Sequence, residues 1–243
     1  MFRINKRIEK PAQQTKTGEA KKIKGASMPP ESMEQANQIF DELWERSPIL
    51  CLTAQMSSLT GLRYSDASWL RYDDFFDEFD QFKSQFEVCQ QKVFRIRESR
   101  KSESENTSEI FRKSVVTIYT SEAIKEIVEE TRHHSSSTSF LFGNKRSQLV
   151  TDSGEIIERP MSVETASWHH LEVKKKLKLG YTLGTHSWRK FYVRLLIDNG
   201  ATVEKVRDLL GQSSLQSTNH YLHSIETDLN ELVNKLSLNK ANI

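Results

Sequence analysis

The 243-residue chain has only two cysteines and no run approaching the roughly 20 consecutive apolar residues that a membrane-spanning helix needs. Cys51 and Cys89 lack the paired spacings of a disulfide framework or a thiolate metal site, so both are expected to be reduced and structural. The opening residues Met1-Phe2-Arg3-Ile4-Asn5-Lys6-Arg7 lead into polar sequence with no apolar signal core behind them. These absences argue against a secreted disulfide scaffold and a membrane protein, and the expectation is a cytoplasmic protein. No P-loop is present, and the adjacent pairs His133-His134 and His169-His170 lack the spacing that puts two ligands on one helix face. Neither a nucleotide nor a metal cofactor is expected.

Charge of one sign is also scarce. The net formal charge is +2, too little to diagnose a nucleic-acid partner by itself. The balance is uneven, because residues 1–28 carry eight Lys or Arg against Glu9 and Glu19, a local charge of +6. Such a tail cannot bury enough apolar surface to order itself. It reads either as a solvated end or as an arm that adds phosphate contacts on DNA. The whole chain holds 36% hydrophobic residues, with 12 Phe and 4 Trp, enough for a real core.

Folded structure is expected from residue 29, after Pro29-Pro30. Apolar residues at Ile39, Phe40, Leu43 and Trp44 recur at helical spacing, and Ile49–Leu62 reads as a second helix ending at Arg63. Lys92–Arg97 and Ser114–Tyr119 read as the strands of a hairpin, with a long, mobile polar tip over residues 98–113. A short helix is expected over 121–130, a serine-rich loop over 133–139, a helix over 162–177, and helical pattern again from Ser187 with breaks at Asn199-Gly200 and Leu210-Gly211. The acidic stretch Asp73–Asp80 reads as a solvated loop. The expected class is α+β, mainly helical around one small antiparallel sheet.

Two segments more than a hundred residues apart carry chemistry. The first is Thr60-Gly61-Leu62-Arg63-Tyr64-Ser65-Asp66; the second is His186-Ser187-Trp188-Arg189, followed by Leu210-Gly211-Gln212 and Tyr221. An Arg three residues after a His at a helix start places imidazole and guanidinium on one face, a pair suited to phosphate. A second Arg could clamp the same group from the other side. A nearby Tyr is a plausible nucleophile, because its phosphoester preserves the bond energy for rejoining.

The order and spacing of these segments resemble the tyrosine recombinase (phage integrase) family, over roughly residues 29–225. Thr-Gly-Leu-Arg-x-Ser-acid is similar to the family's first box. His-x-x-Arg, Leu-Gly-x and Tyr are similar to its second. The resemblance implies a catalytic domain in which Tyr221 attacks a phosphate of double-stranded DNA, Arg63 and Arg189 stabilise the developing charge, and His186 assists the tyrosine proton. It also implies a catalytic Lys on the hairpin between the boxes, for which Lys101 is the candidate and Lys113 the competitor. Gln212 stands where the family usually has His or Trp; its amide can still donate a hydrogen bond but cannot titrate near neutral pH. The apolar stripe Ile225, Leu229, Leu232, Val233 and Leu236 reads as a terminal helix over 226–243, docking on its own core or on a neighbouring protomer. The resemblance further implies a tetramer on DNA, with accessory DNA-bending proteins as possible partners. With only the basic tail ahead of the catalytic region, the chain resembles the short single-domain members. Two other readings are an integrase-like protein that binds DNA without cutting it, and a nicking and closing enzyme similar to type IB topoisomerases or telomere resolvases.

Overall fold

The computed structural model describes residues 26–102 and 105–211. Most of the basic tail, Gln212, Tyr221 and the stripe beyond residue 224 lie outside the described residues.

The first helix, α1 (Met33–Arg46), starts where the Ser32 hydroxyl accepts from the Gln35 amide at 3.1 Å, and it buries Ala36, Ile39 and Leu43. Ser47 repeats the device for α2 (Pro48–Thr60), with Pro48 preset for the first turn. A helix that is apolar on nearly every face has to be covered on every side, and α2 is: Leu50, Cys51, Leu52, Ala54 and Met56 are all at most 2% exposed. Three of its buried hydroxyls are satisfied within the helix, because Thr53, Ser58 and Thr60 each donate to the carbonyl one turn back, at 2.6, 2.9 and 2.7 Å.

Two short helices follow, α3 (Tyr64–Ala67) and α4 (Tyr72–Phe75), then strand β1 (Gln85–Cys89). Helices α5 (Gln91–Ser99) and α6 (Thr107–Lys113) precede strand β2 (Val115–Tyr119). The two strands pair antiparallel, from Gln85 opposite Tyr119 to Cys89 opposite Val115. The remaining elements are α7 (Glu122–His134), a minimal hairpin of β3 (Leu149–Val150) and β4 (Ile156–Ile157), α8 (Val163–Lys176), α9 (Ser187–Asp198) and α10 (Val203–Leu209). Among the described residues no helix is long and apolar enough to cross a membrane.

Helix α2 separates two apolar cores. On one side Leu52 and Met56 belong with Phe75, Phe86, Val116, Ile118, Val128 and Phe142, which ties α2 to the sheet and to α7. On the other, Leu50, Cys51 and Ala54 belong with Ile39 and Leu43 of α1, Val173 of α8, and Trp188 and Phe191 of α9. Each fully buried Leu, Ile, Met or Phe contributes about 1.5–3 kcal/mol, so the axis of α2 is the best-fixed line in the molecule. It ends at Gly61.

The mainly helical architecture with a small antiparallel sheet is as the sequence indicates, and β2 lies where expected. Its partner does not. Lys92–Arg97 is helical, and the strand is Gln85–Cys89, whose Phe86 faces the core opposite Ile118. Alternation in Lys-Val-Phe-Arg-Ile-Arg also permits a helix, and here Phe94 meets Phe111 of α6 at a ring distance of 6.3 Å. The stretch expected as a long tip contains α6, capped by the Asn106 side chain, which accepts from the Glu109 amide at 2.7 Å. Helix α7 runs on through His134, into the start of the expected serine loop. In the acidic stretch Asp74 is not simply solvated: its carboxylate accepts from the Arg71 amide at 2.8 Å and starts α4. At the other boundary, the Met28 amide donates to the Thr182 carbonyl at 2.9 Å, so ordered chain extends to residue 28.

Candidate active site

Gly61 turns the chain out of α2 in a left-handed conformation, φ 66°. A Cβ there would sit 2.5 Å from Cδ1 of Tyr192 on α9. Glycine is thus required twice, for its dihedral and for the close approach of α9. That approach brings Arg189 to the end of α2, where its Nη1 donates to the Gly61 carbonyl and its Nη2 to the Leu210 carbonyl at 3.2 Å. Arg189 is 1% exposed.

Two residues beyond Gly61, Arg63 precedes α3. Its guanidinium donates to Oε1 of Gln90 and lies 3.9 Å from the carboxylate of Asp66 one turn on, whose side chain is buried. Asp66 also accepts from the Gln91 amide at 3.2 Å, which fixes the beginning of α5 against the beginning of α3.

His186 is the residue on which α9 begins. Burial pushes its imidazole down to about 4, and the charges of Arg189, Arg63, Lys190 and Lys92 push in the same direction. It is therefore neutral at pH 7 and can accept or donate a proton through its ring nitrogens. The N-terminus of α9 adds the positive end of a helix dipole to the same spot. Behind it Trp188 is held in place: its indole N–H donates to Nε2 of His170 at 2.7 Å, while Nδ1 of His170 lies 2.7 Å from the Ala166 carbonyl. These contacts fix His170 as the neutral Nδ1–H tautomer, and burial holds its pKa near 4. His169, beside it, accepts from Nε of Arg46 at 3.3 Å.

Arg63, His186 and Arg189 are thus brought together from two segments of the chain. Gln212 and Tyr221 lie outside the described residues, just beyond the Leu210-Gly211 turn that holds Arg189. Lys101 is exposed on the insert between the strands, its Nζ 3.4 Å from the Thr107 hydroxyl. Lys113 is paired with Glu105 at 3.2 Å and Glu109 at 2.9 Å. Lys92, in the first turn of α5, is the lysine of the insert whose charge reaches His186.

The sequence singles out neither Lys92 nor Gln90, and His170 reads there only as a structural or surface residue. Gln90 did carry a signal: Phe86, Val88 and Gln90 keep a period of two, so an inward-facing amide ends an apolar strand face. It is 2% exposed. His170 carried none, since a histidine on a helix buried by tertiary packing looks like any other.

A neutral imidazole at the start of the helix that carries one of two anchored arginines suits an oxyanion with charge developing on more than one oxygen, which preorganised donors stabilise without reorganising. The chain's similarities agree. The sequence model described as the Phage integrase family matches residues 27–227, a span that includes positions 212 and 221. No curated protein matches. Among solved structures, XerA recombinase superposes with a TM-score of 0.58 at 14% identity, covering 88% of this chain and 68% of that one. A lambda integrase (75-356) dimer bound to a COC′ core site gives 0.57 at 15%, covering 90% and 65%. The Tn1549 transposon integrase in complex with a circular intermediate DNA gives 0.54 at 12%, covering 88% and 68%. At such identities these likenesses establish the fold, and the match along the sequence establishes the kinship: the chain belongs to the phage integrase family.

Proposed function

We propose that this protein is a site-specific recombinase that cuts and rejoins double-stranded DNA through a phosphotyrosyl intermediate. The observation that carries the reading is that Arg63 and Arg189 are held together through Gln90 and the Leu210 and Gly61 carbonyls, with His186 at the start of the helix that carries Arg189. In the proposed step the Tyr221 oxygen bonds to the scissile phosphorus and the bond from phosphorus to the 5′ oxygen breaks. The phenolic proton passes towards His186. Arg63 and Arg189 hold the non-bridging oxygens, and the departing 5′ oxygen takes a proton from a lysine. Lys92, whose charge bears on His186, is one candidate for that last role; Lys101, the candidate by sequence resemblance, is the other. Gln212 would donate to the phosphate. The step is reversible, because a new 5′ hydroxyl can attack the phosphotyrosine with the same groups in exchanged roles.

Strand exchange requires several protomers on DNA. The stripe from Ile225 to Leu236 is our candidate for the contact between them in a tetramer, with DNA-bending proteins as possible helpers.

The test is a nicked duplex carrying a candidate target site drawn from the DNA that flanks the gene, in which the cut fragment is lost once released. The expected result is a covalent adduct that survives denaturant and is absent with Tyr221→Phe. An adduct formed equally well by Tyr221→Phe would remove the assigned nucleophile. Specific binding with no adduct on any cognate duplex would favour a DNA-binding protein that has kept the fold. Relaxation of supercoiled plasmid without a specific site would favour topoisomerase-like nicking and closing.

A further inference from the structure

The cradle is closed by a residue that belongs to neither motif. Gln90 is 2% exposed, and each of its polar groups is engaged. Its amide N–H donates to the Ser114 carbonyl at 2.9 Å, and its own carbonyl accepts from the Phe94 amide at 2.9 Å. In the side chain, Oε1 accepts from Nη1 of Arg63, while Nε2 donates to the Leu210 carbonyl at 2.9 Å. The Leu210 carbonyl is the one that also accepts from Nη2 of Arg189, and Nη1 of Arg189 returns to the Gly61 carbonyl, two residues before Arg63. The contacts form a ring: Arg63, Gln90, the Leu210 carbonyl, Arg189, the Gly61 carbonyl, and back along the chain to Arg63.

A buried amide with its acceptor on one arginine and its donor on the carbonyl that holds the other fixes the distance between the two guanidiniums. The fit is close on the far side too. Gly211 has φ 61°, and a Cβ there would lie 2.8 Å from Nε2 of Gln90.

We propose that Gln90 is a positioning residue for DNA cleavage. It sets Arg63 against the scissile phosphate and ties that arginine to the Leu210-Gly211 turn, from which the chain continues to Tyr221. The proposal rests on the recombinase reading above. Gln90 touches no reacting atom; it acts through Arg63 and through the turn.

Single-turnover cleavage on the nicked duplex tests it, with wild type, Gln90→Met, Gln90→Glu and Arg63→Ala compared on two substrates. One has an ordinary phosphate at the cleavage position. The other has a methylphosphonate, which removes one negative charge and with it much of the work of an arginine. Gln90→Met keeps the shape and removes both side-chain bonds. Gln90→Glu keeps an acceptor for Arg63 and loses the donor to Leu210, so it serves if the methionine variant does not fold. The expected result on phosphate is a 10- to 100-fold slower cleavage by either Gln90 variant, with duplex affinity within about threefold of wild type. On methylphosphonate the deficit relative to wild type should shrink to a few-fold, as it should for Arg63→Ala. Wild-type rates in the folded Gln90 variants, or a deficit of equal size on both substrates, would overturn the role of Gln90. Absence of any adduct with wild type would instead count against the recombinase reading.

Discussion

The cradle and the insert between the two strands hold their charges in opposite ways. In the cradle, Arg189 is buried and held by the Gly61 and Leu210 carbonyls, while Arg63 is held by Gln90, so these partners come from distant parts of the chain, and only Asp66, one turn on from Arg63, is local. In the insert, Lys113 is half-exposed and pairs with Glu105 and Glu109 a turn or two away, with its own pKa raised by those hydrogen bonds. The two carboxylates already complement that ammonium, and in water such pairs contribute little. The difference teaches where to look for chemistry: charges fixed by remote neutral or carbonyl partners keep their field for a substrate, and charges satisfied by neighbours along the chain do not.

The largest expected effect separates the first turn of α5, where the Gln91 amide meets Asp66 of the cradle, from the rest of the insert. Lys92→Ala should slow cleavage by about 10²–10⁴-fold, the range for loss of a positioned proton donor, whereas Lys101→Ala and Lys113→Ala should each stay within a few-fold of wild type. A duplex with sulfur in place of the departing 5′ oxygen needs no proton donor, because a thiolate leaves readily, and should restore cleavage by Lys92→Ala. If Lys101→Ala is the variant that loses activity and is restored by sulfur, the proton comes from Lys101.

A smaller effect follows from packing. Gly61→Ala forces a side chain into a left-handed backbone and against Tyr192, which should cost about 2–4 kcal/mol. For a protein of this size that is a fall in Tm of roughly 5–15 °C, measurable by thermal melting. An alanine variant that melts with wild type would mean that α9 does not approach the end of α2 as closely as described.

The smallest concerns acid. His170 and His186 are both held near 4 in the folded protein, against about 6.5 in an unfolded chain. The unfolded state therefore binds protons that the folded state refuses. The stability these groups contribute is complete above about pH 6.5 and is lost as pH falls towards 4. Thermal melts at pH 7.5 and pH 5.0 should differ by several degrees, and a flat profile over that range would sink the assignment of two neutral histidines. Bound phosphate would raise the His186 pKa, so duplex affinity should rise over the same fall in pH.

Much of this was legible in the sequence. The helical periodicity of α1, the apolar run of α2, the capping serines and both motif segments are local patterns, and local patterns survive being read without a structure. The insert was misread because Lys92–Arg97 satisfies two periodicities at once, and only the packing of Phe94 on Phe111 decides between them. Resemblance placed a lysine on that insert and named Lys101, with Lys113 as competitor; no pattern in the sequence marked Lys92, whose charge bears on His186 in the fold. Gln90 and His170 matter through hydrogen bonds to distant residues, and although a period of two turns Gln90 inward, no spacing along the chain encodes those partners.

The ring that holds the cradle has a consequence for how the protein is made. Arg189 reaches back 128 residues to Gly61, and Gln90 reaches forward 120 residues to Leu210. Closing such long loops comes late in folding, after local helices have formed. A chain still emerging from the ribosome can carry Arg63 on a finished α2 for as long as it takes to synthesise those residues, yet its catalytic cradle does not exist. The DNA-cutting capacity proposed for this fold would therefore appear all at once, in the last moments of assembly, and partly folded copies would leave the chromosome alone.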